Sequence, residues 1–122
     1  MRLWSKVLLA GLAGTTLLLA LGSDEEHGKD IFVRRCSGCH ALDVNKEGPK
    51  LRGVYGREAA RLADFGYSDA LKKSSVRWDE ATLDRWLADP DAIAPDTDMA
   101  FSLKDAQERK EIIAYLKTLK SR

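Results

Sequence analysis

Apolar residues recur at helical spacing in two stretches near the ends of the chain. From Ser102 to Lys120, Ile112, Ile113, Leu116 and Leu119 share one face with charges opposite, the pattern of an amphipathic helix. Ser102 with Asp105 can cap its start, and Lys117, Lys120 and Arg122 suit the negative end of the helix dipole. Residues Ser23 to Arg35 read as the first helix: Gly28, Ile31, Phe32 and Arg35 fall on one face, and Ser23 and Glu26 stand at capping-box spacing. The two apolar faces are expected to pack on each other, with Gly28 permitting close approach. Shorter patterns predict helices over Asp69 to Lys73 and over Asp79 to Ala88, the latter with Asp79 as N-cap, Leu83, Trp86 and Leu87 on one face, and Pro90 as its stop. One more turn is expected at Asp91 to Ala94, before Pro95. No stretch alternates as a strand does, so the fold class is all-α, with three to five short helices.

Between these elements, Ala41 to Tyr67 has no sustained period and is punctuated by Gly48-Pro49, Gly53, Gly56 and Gly66. Long irregular segments in small domains often wrap something. At the other extreme, Val7 to Leu21 is continuously uncharged and mostly apolar, preceded by Arg2 and Lys6 and followed by the small residues of Ala20-Leu21-Gly22. That order is the order of an export signal. Residues 1–22 are read as a signal peptide and 23–122 as one domain. The rival is an uncleaved membrane anchor, since the uncharged run is at the lower edge of a span. Either places the domain outside the cytoplasm, in a periplasm.

With 122 residues, 44% hydrophobic and 32% charged, the chain has the composition of one globular domain and no sign of disorder. Its net charge is +1. Removal of Arg2 and Lys6 would leave 18 basic against 19 acidic residues, and no nucleic-acid partner is expected.

The chemistry concentrates at Cys36-Ser37-Gly38-Cys39-His40, a C-x-x-C-H stretch that reads as the attachment site of one haem c. Two thiols three positions apart can add to the two vinyl groups on one side of a porphyrin. The residue after the second thiol then lies beneath the iron, where the His40 imidazole can be an axial ligand. A thioredoxin-like dithiol would need alternating strands and helices. A zinc site would need about four ligands, and the chain has two Cys and two His. A disulfide would leave His40 without a role. A haem would also supply buried apolar area that a domain of this size otherwise lacks, so the chain without it is expected to be largely unfolded. His27 is read as a solvated helix position.

These residues combine into a family pattern. The order of Cys36-Ser37-Gly38-Cys39-His40, Gly48-Pro49-Lys50-Leu51, Gly53, Gly56-Arg57, Gly66-Tyr67-Ser68, Trp78, Pro95-Asp96-Thr97-Asp98-Met99 and Ile112-Ile113-Ala114-Tyr115-Leu116 resembles class I cytochrome c, of the mitochondrial and bacterial c2/c550 type, from about His27 to Lys120. The resemblance implies the small cytochrome c fold around one covalently attached haem. It implies Met99 as sixth ligand, and Met1 is the only other methionine. It further implies the Pro49 carbonyl as acceptor of the other imidazole N–H of His40, and Tyr67, Trp78 and Arg57 as partners of the haem propionates, with Thr97 nearby. Trp86 and Phe101 are read as apolar groups packing on the haem.

The loop from His40 to Gly48 is shorter than in the mitochondrial type, which points to a bacterial branch. Asp98 stands beside the methionine where that type carries lysine. The expected function is one-electron transfer between redox partners such as a dehydrogenase, a cytochrome complex or an oxidase. The protein is expected to be a monomer, to touch membrane only if residues 1–22 stay attached, and not to be an enzyme. The alternatives are a peroxidase-like haem enzyme that has lost the methionine ligand and a haem subunit of a larger redox complex.

Overall fold

A computed structural model describes residues 22–122 together with Gly11 and Gly14. The export segment expected at 1–22 otherwise lies outside the described residues. Four α-helices occur in the order α1 (Asp24–Ile31), α2 (Asp69–Lys73), α3 (Glu80–Ala88) and α4 (Ala106–Thr118). Among the described residues there is no strand, only one isolated bridge between Glu58 and Arg77.

Local chemistry sets the helix starts. Ser23 and Glu26 form a reciprocal capping box on α1, and Asp79 and Thr82 form another on α3, each satisfying amide donors that a helix leaves open. Ser68 caps α2. The last helix begins at Ala106, not near Ser102, because Asp105 takes the cap and accepts from Gln107 and Glu108. Residues just before it are drawn away by tertiary contact: Leu103 is buried, and its N–H donates to the Leu87 carbonyl at 2.7 Å. The extra turn also differs from expectation. It is a 3-10 turn over Pro90–Ala92, since proline, lacking an N–H, fits the first position of a helical turn.

The first helix does not continue as α to Arg35. A π turn occupies Phe32–Cys36, closed by the Ser37 N–H donating to Phe32 O at 2.9 Å. The wider turn rotates everything after it by about 100° relative to a continued α-helix. Gly28, Ile31 and Phe32 are therefore buried as expected, whereas Arg35 is exposed beside Glu108 of α4, 3.9 Å away.

Helix α1 crosses α4, and α3 packs on α4 from another side. Ile31, Ile112, Ile113 and Leu116 fill the α1–α4 contact, and Leu83, Trp86 and Leu87 are the buried face of α3. Gly28 lies directly against the α4 backbone. The irregular segment from Ala41 to Tyr67 is pinned by backbone bonds: Leu51 to Ala41 O, Arg52 to Leu42 O, Gly53 to Leu119 O and Gly56 to Trp78 O. It thus forms a wall opposite α3, and the space between is a cavity.

Candidate haem site

The cavity has two connected lobes. An outer one of about 370 Å³ opens to solvent, within the range of cofactor sites, and an inner recess holds about 70 Å³. His40, Tyr67, Leu71, Trp86 and Met99 line both. Of the residues singled out from sequence, Pro49, Arg57 and Trp78 line the inner recess, and Cys39 and Thr97 the outer lobe. Cys36 lines neither, but lies half-buried against the core at the edge of the same turn. His27 lies away from the cavity on α1, with its Nδ1 3.5 Å from Glu111.

The C-x-x-C-H turn follows directly from the π turn. Cys39 and His40 N–H groups both donate to the Cys36 carbonyl, at 3.1 and 2.9 Å, and Gly48 N–H returns to the Cys39 carbonyl at 2.8 Å. This return presses Gly48 onto the His40 ring: a Cβ there would stand 2.7 Å from Nδ1 and Nε2 and closer still to Cε1. On the other edge of the imidazole, Nδ1 lies 2.7 Å from the Pro49 carbonyl. A carbonyl can only accept, so Nδ1 carries the proton and Nε2 keeps its lone pair. Burial holds the His40 pKa below its ordinary value, although the Pro49 bond acts the other way. A neutral imidazole with a free Nε2 is the form that binds a metal.

Neither thiol has the character of a redox-active dithiol. Burial pushes Cys36 up to about 11, and a hydrogen bond to Glu47, at 3.4 Å, raises Cys39. Reactive dithiols have depressed values instead. The absence of strands among the described residues removes the setting for a thioredoxin-like reading, and no group of three or more His, Cys, Asp or Glu converges among them as a zinc site would need.

The inner recess carries an unbalanced charge. Arg57 is partly buried and has no carboxylate partner among the described residues; it donates to the Arg52 carbonyl at 3.3 Å. Burial lowers its pKa, a sign that the cation lacks compensation. Glu58 lines the same recess but is committed to Arg61 and Arg77. Tyr67 stands close by, its phenol raised by burial and its oxygen accepting from Leu62 N–H at 3.4 Å. A slot with largely apolar walls, ending in an uncompensated guanidinium, fits a flat apolar macrocycle with carboxylates at one end. The residues present therefore fit a haem.

One polar contact was not legible beforehand. Trp86 packs beside Trp78, ring centroids 5.2 Å apart, and its Nε1–H donates to the Met99 sulfur at 3.2 Å. Its burial was readable from the helical face of α3; its bond to a residue in a later loop was not. The mouth of the cavity carries both signs of charge, with Arg35, Glu47 and Asp98 on its rim. The cations that follow His40 are engaged within the chain: Lys50 with Asp64 at 3.3 Å, Arg52 with Asp43 at 2.7 Å, and Lys46 with the Ser37 carbonyl at 2.7 Å.

Comparison with known proteins agrees with this geometry. A sequence model described as cytochrome c matches residues 25–120. Cytochrome c of Euglena viridis is 41% identical over 100 residues, 80% of this chain and 98% of that protein. Cytochrome c2 iso-2 of Magnetospirillum molischianum is 46% identical over 88 residues, 70% and 91% of the two chains. Among solved structures, cytochrome cH from Methylobacterium extorquens superposes with a TM-score of 0.74 at 45% identity, over 79% of this chain and 99% of that one.

Proposed function

Because this chain belongs to the cytochrome c family, and is by that membership an electron-transfer protein with one c-type haem and not an enzyme, we propose that Cys36 and Cys39 hold the haem and that His40 and Met99 are its axial ligands. The observation that carries the reading is that His40, its Nδ1 tied to Pro49, and Met99 line both lobes of one cavity. Bound haem supplies a one-electron iron couple. Cys36 and Cys39 would hold the haem through two thioethers, each thiol adding its sulfur to one vinyl carbon and its hydrogen to the other. His40 donates through Nε2. Met99 donates through a neutral thioether, which favours ferrous iron and raises the potential. Arg57, Tyr67 and Trp78, which line the inner recess, would receive the propionates, with Thr97 on the outer lobe nearby. With His40 and Met99 as its two ligands the iron would pass electrons without offering an open coordination position.

The attached haem should survive denaturation and acid–solvent extraction, because thioether bonds do not exchange. Mass spectrometry of protein isolated from its source should show one haem on a chain beginning near Ser23, exported to the periplasm by a cleaved 1–22 segment. Extractable haem would refute attachment through Cys36 and Cys39. An intact N-terminus would replace cleavage by anchoring. Among the described residues no helix is long and apolar enough to cross a membrane.

The redox partners are proposed to be a dehydrogenase, a cytochrome complex or an oxidase that meets this chain as a monomer. A carrier must bind and leave quickly, so charge acts mainly on encounter. The rim around the cavity mixes Arg35 with Glu47 and Asp98, and Lys50 and Arg52 are already paired. Steering should therefore be weak. Raising ionic strength should change the second-order rate of reduction by the physiological donor by no more than about twofold, where strong steering gives a loss of ten-fold or more. A steep decline, partly reversed by neutralising Lys46, Lys50 and Arg52, would show that a basic face governs docking.

A further inference from the structure

The bond from His40 to Pro49 is held from behind by Asn45. The Asn45 side chain bridges two segments: its Nδ2–H donates to the Asp64 carbonyl at 3.1 Å, and its Oδ1 accepts from the Lys50 N–H at 2.9 Å. A carbonyl can only accept and a backbone N–H can only donate, so both partners demand the same orientation of this amide. The Lys50 N–H and the Pro49 carbonyl belong to one peptide unit. That unit is trans and planar, so its N–H and C=O point opposite ways from one rigid plate, and the proline ring restricts its rotation on one side. His40 Nδ1–H donates to the carbonyl end of the plate at 2.7 Å, and Asn45 holds the N–H end. Three bonds thus run head to tail, from His40 through the Pro49–Lys50 peptide and the Asn45 amide to Asp64. Amides in such a series polarise one another.

We propose that Asn45 is a positioning residue for His40: by accepting from the Lys50 N–H it fixes the plane of the Pro49–Lys50 peptide and polarises the Pro49 carbonyl, which strengthens the pull of that carbonyl on the His40 Nδ1 proton. This rests on the reading of His40 as axial ligand. Two properties follow. The carbonyl that orients the imidazole cannot swing away from it while Asn45 holds the far edge of the same peptide. A proton drawn toward Pro49 also leaves Nε2 more basic, and a stronger nitrogen donor favours ferric over ferrous iron, so Asn45 lowers the reduction potential.

The test compares wild type, Asn45→Leu and Asn45→Asp as holoproteins. Leucine has a similar shape and removes both bonds; aspartate keeps the acceptor toward Lys50 and gives up the donor toward Asp64. Asn45→Leu should raise the ratio of reduced to oxidised protein at fixed poise by about two- to five-fold, where tenfold is ~59 mV for one electron. In the reduced protein its His40 Nδ1 proton should resonate upfield of the wild-type position. Asn45→Asp should hold that resonance at or downfield of wild type, and its ratio of reduced to oxidised protein should not rise. An unchanged potential and an unmoved Nδ1 proton in Asn45→Leu would overturn the proposal. So would an Nδ1 proton in Asn45→Asp that moves as it does in Asn45→Leu, because the lost tie to Asp64 would then be the cause and Asn45 a loop fastener alone. Should the variants lose their fold, the wild type still decides: a scalar coupling across the hydrogen bond is expected between the Lys50 amide nitrogen and the Asn45 side-chain carbonyl carbon. Its absence, in a spectrum that shows such couplings within α4, overturns the proposal. A His40 ring without a haem ring-current shift in the reduced wild type would instead refute His40 ligation itself, which separates failure of the premise from failure of the inference.

Discussion

Met99→Ala should abolish the near-infrared iron–thioether band of the ferric protein, lower the reduction potential and open the iron to cyanide and peroxide. Among the described residues, no methionine or histidine besides Met99 and His40 lines the cavity. Met1 is the only other methionine, and His27, the only other histidine, lies on α1 beside Glu111 and away from the cavity. Alanine leaves the Trp86 N–H without its sulfur acceptor, and water is the available replacement for both partners. The choice of axial ligand spans ~0.8 V among haem proteins. Exchanging a neutral thioether for water or hydroxide should therefore move the potential by a substantial part of that range, on the order of 200 mV. Spectroscopy and potentiometry of the purified holoprotein measure both effects. If the band is missing in wild type while His27→Ala alters the spectrum, bis-histidine ligation replaces the His40–Met99 reading.

The parts of this fold that depend on neighbours in sequence could be read from residues alone. The Ser23–Glu26 capping box, the Asp79 N-cap, the Pro90 stop and the C-x-x-C-H turn are local arrangements, each complete within about five residues, so residue type and spacing specify them. Parts decided across the molecule could not. Nothing local shows that Leu103 donates to Leu87 and so keeps Ser102 to Asp105 out of α4. The π turn at Phe32–Cys36 looks like ordinary helix in pattern, and its phase shift shows only in the fold, where Arg35 is left exposed. Nothing in the sequence pairs Lys50 and Arg52 with particular carboxylates, and only the folded loop brings Asp64 and Asp43 to them. Trp86 and Met99 are the clearest case. Each was recognisable as a candidate, one by helical face and one by the family resemblance, but the hydrogen bond between them depends on how a loop lies across a helix.

Gly28→Ala should be the most damaging single-methyl change in the chain, since it strikes the contact on which the two terminal helices depend. A Cβ at this position would fall on the Glu111 carbonyl oxygen and stand 2.7 Å from both the carbonyl carbon of Glu111 and the Cβ of Tyr115. Two of these three atoms are backbone atoms within α4, so no rotamer change relieves the clash and the helices must separate. Alanine would gain about 0.5–1 kcal/mol in helix propensity over glycine. Overpacking of a tight interior typically costs about 1–3 kcal/mol, and opening the contact would also loosen Ile31, Ile112 and Leu116, each no more than 4% exposed. At the upper part of that range the cost exceeds the gain, and a net loss of about 1–2.5 kcal/mol is expected. The polar pairs bordering the contact, Asp24–Lys110 at 3.6 Å and Arg35–Glu108 at 3.9 Å, lie at the surface with one partner of each exposed and contribute ~1 kcal/mol or less each, too little to hold it. Nor can α1 stand alone, because isolated helices shorter than about 12 residues are marginal in water. Denaturant titration of the holoprotein measures the loss, with Lys29→Ala, one position along and facing solvent, as the control for propensity. That control should fall within about 0.5 kcal/mol of wild type. If Gly28→Ala matches it, the α1–α4 contact yields by sliding, and close backbone approach is not what joins the ends of this fold.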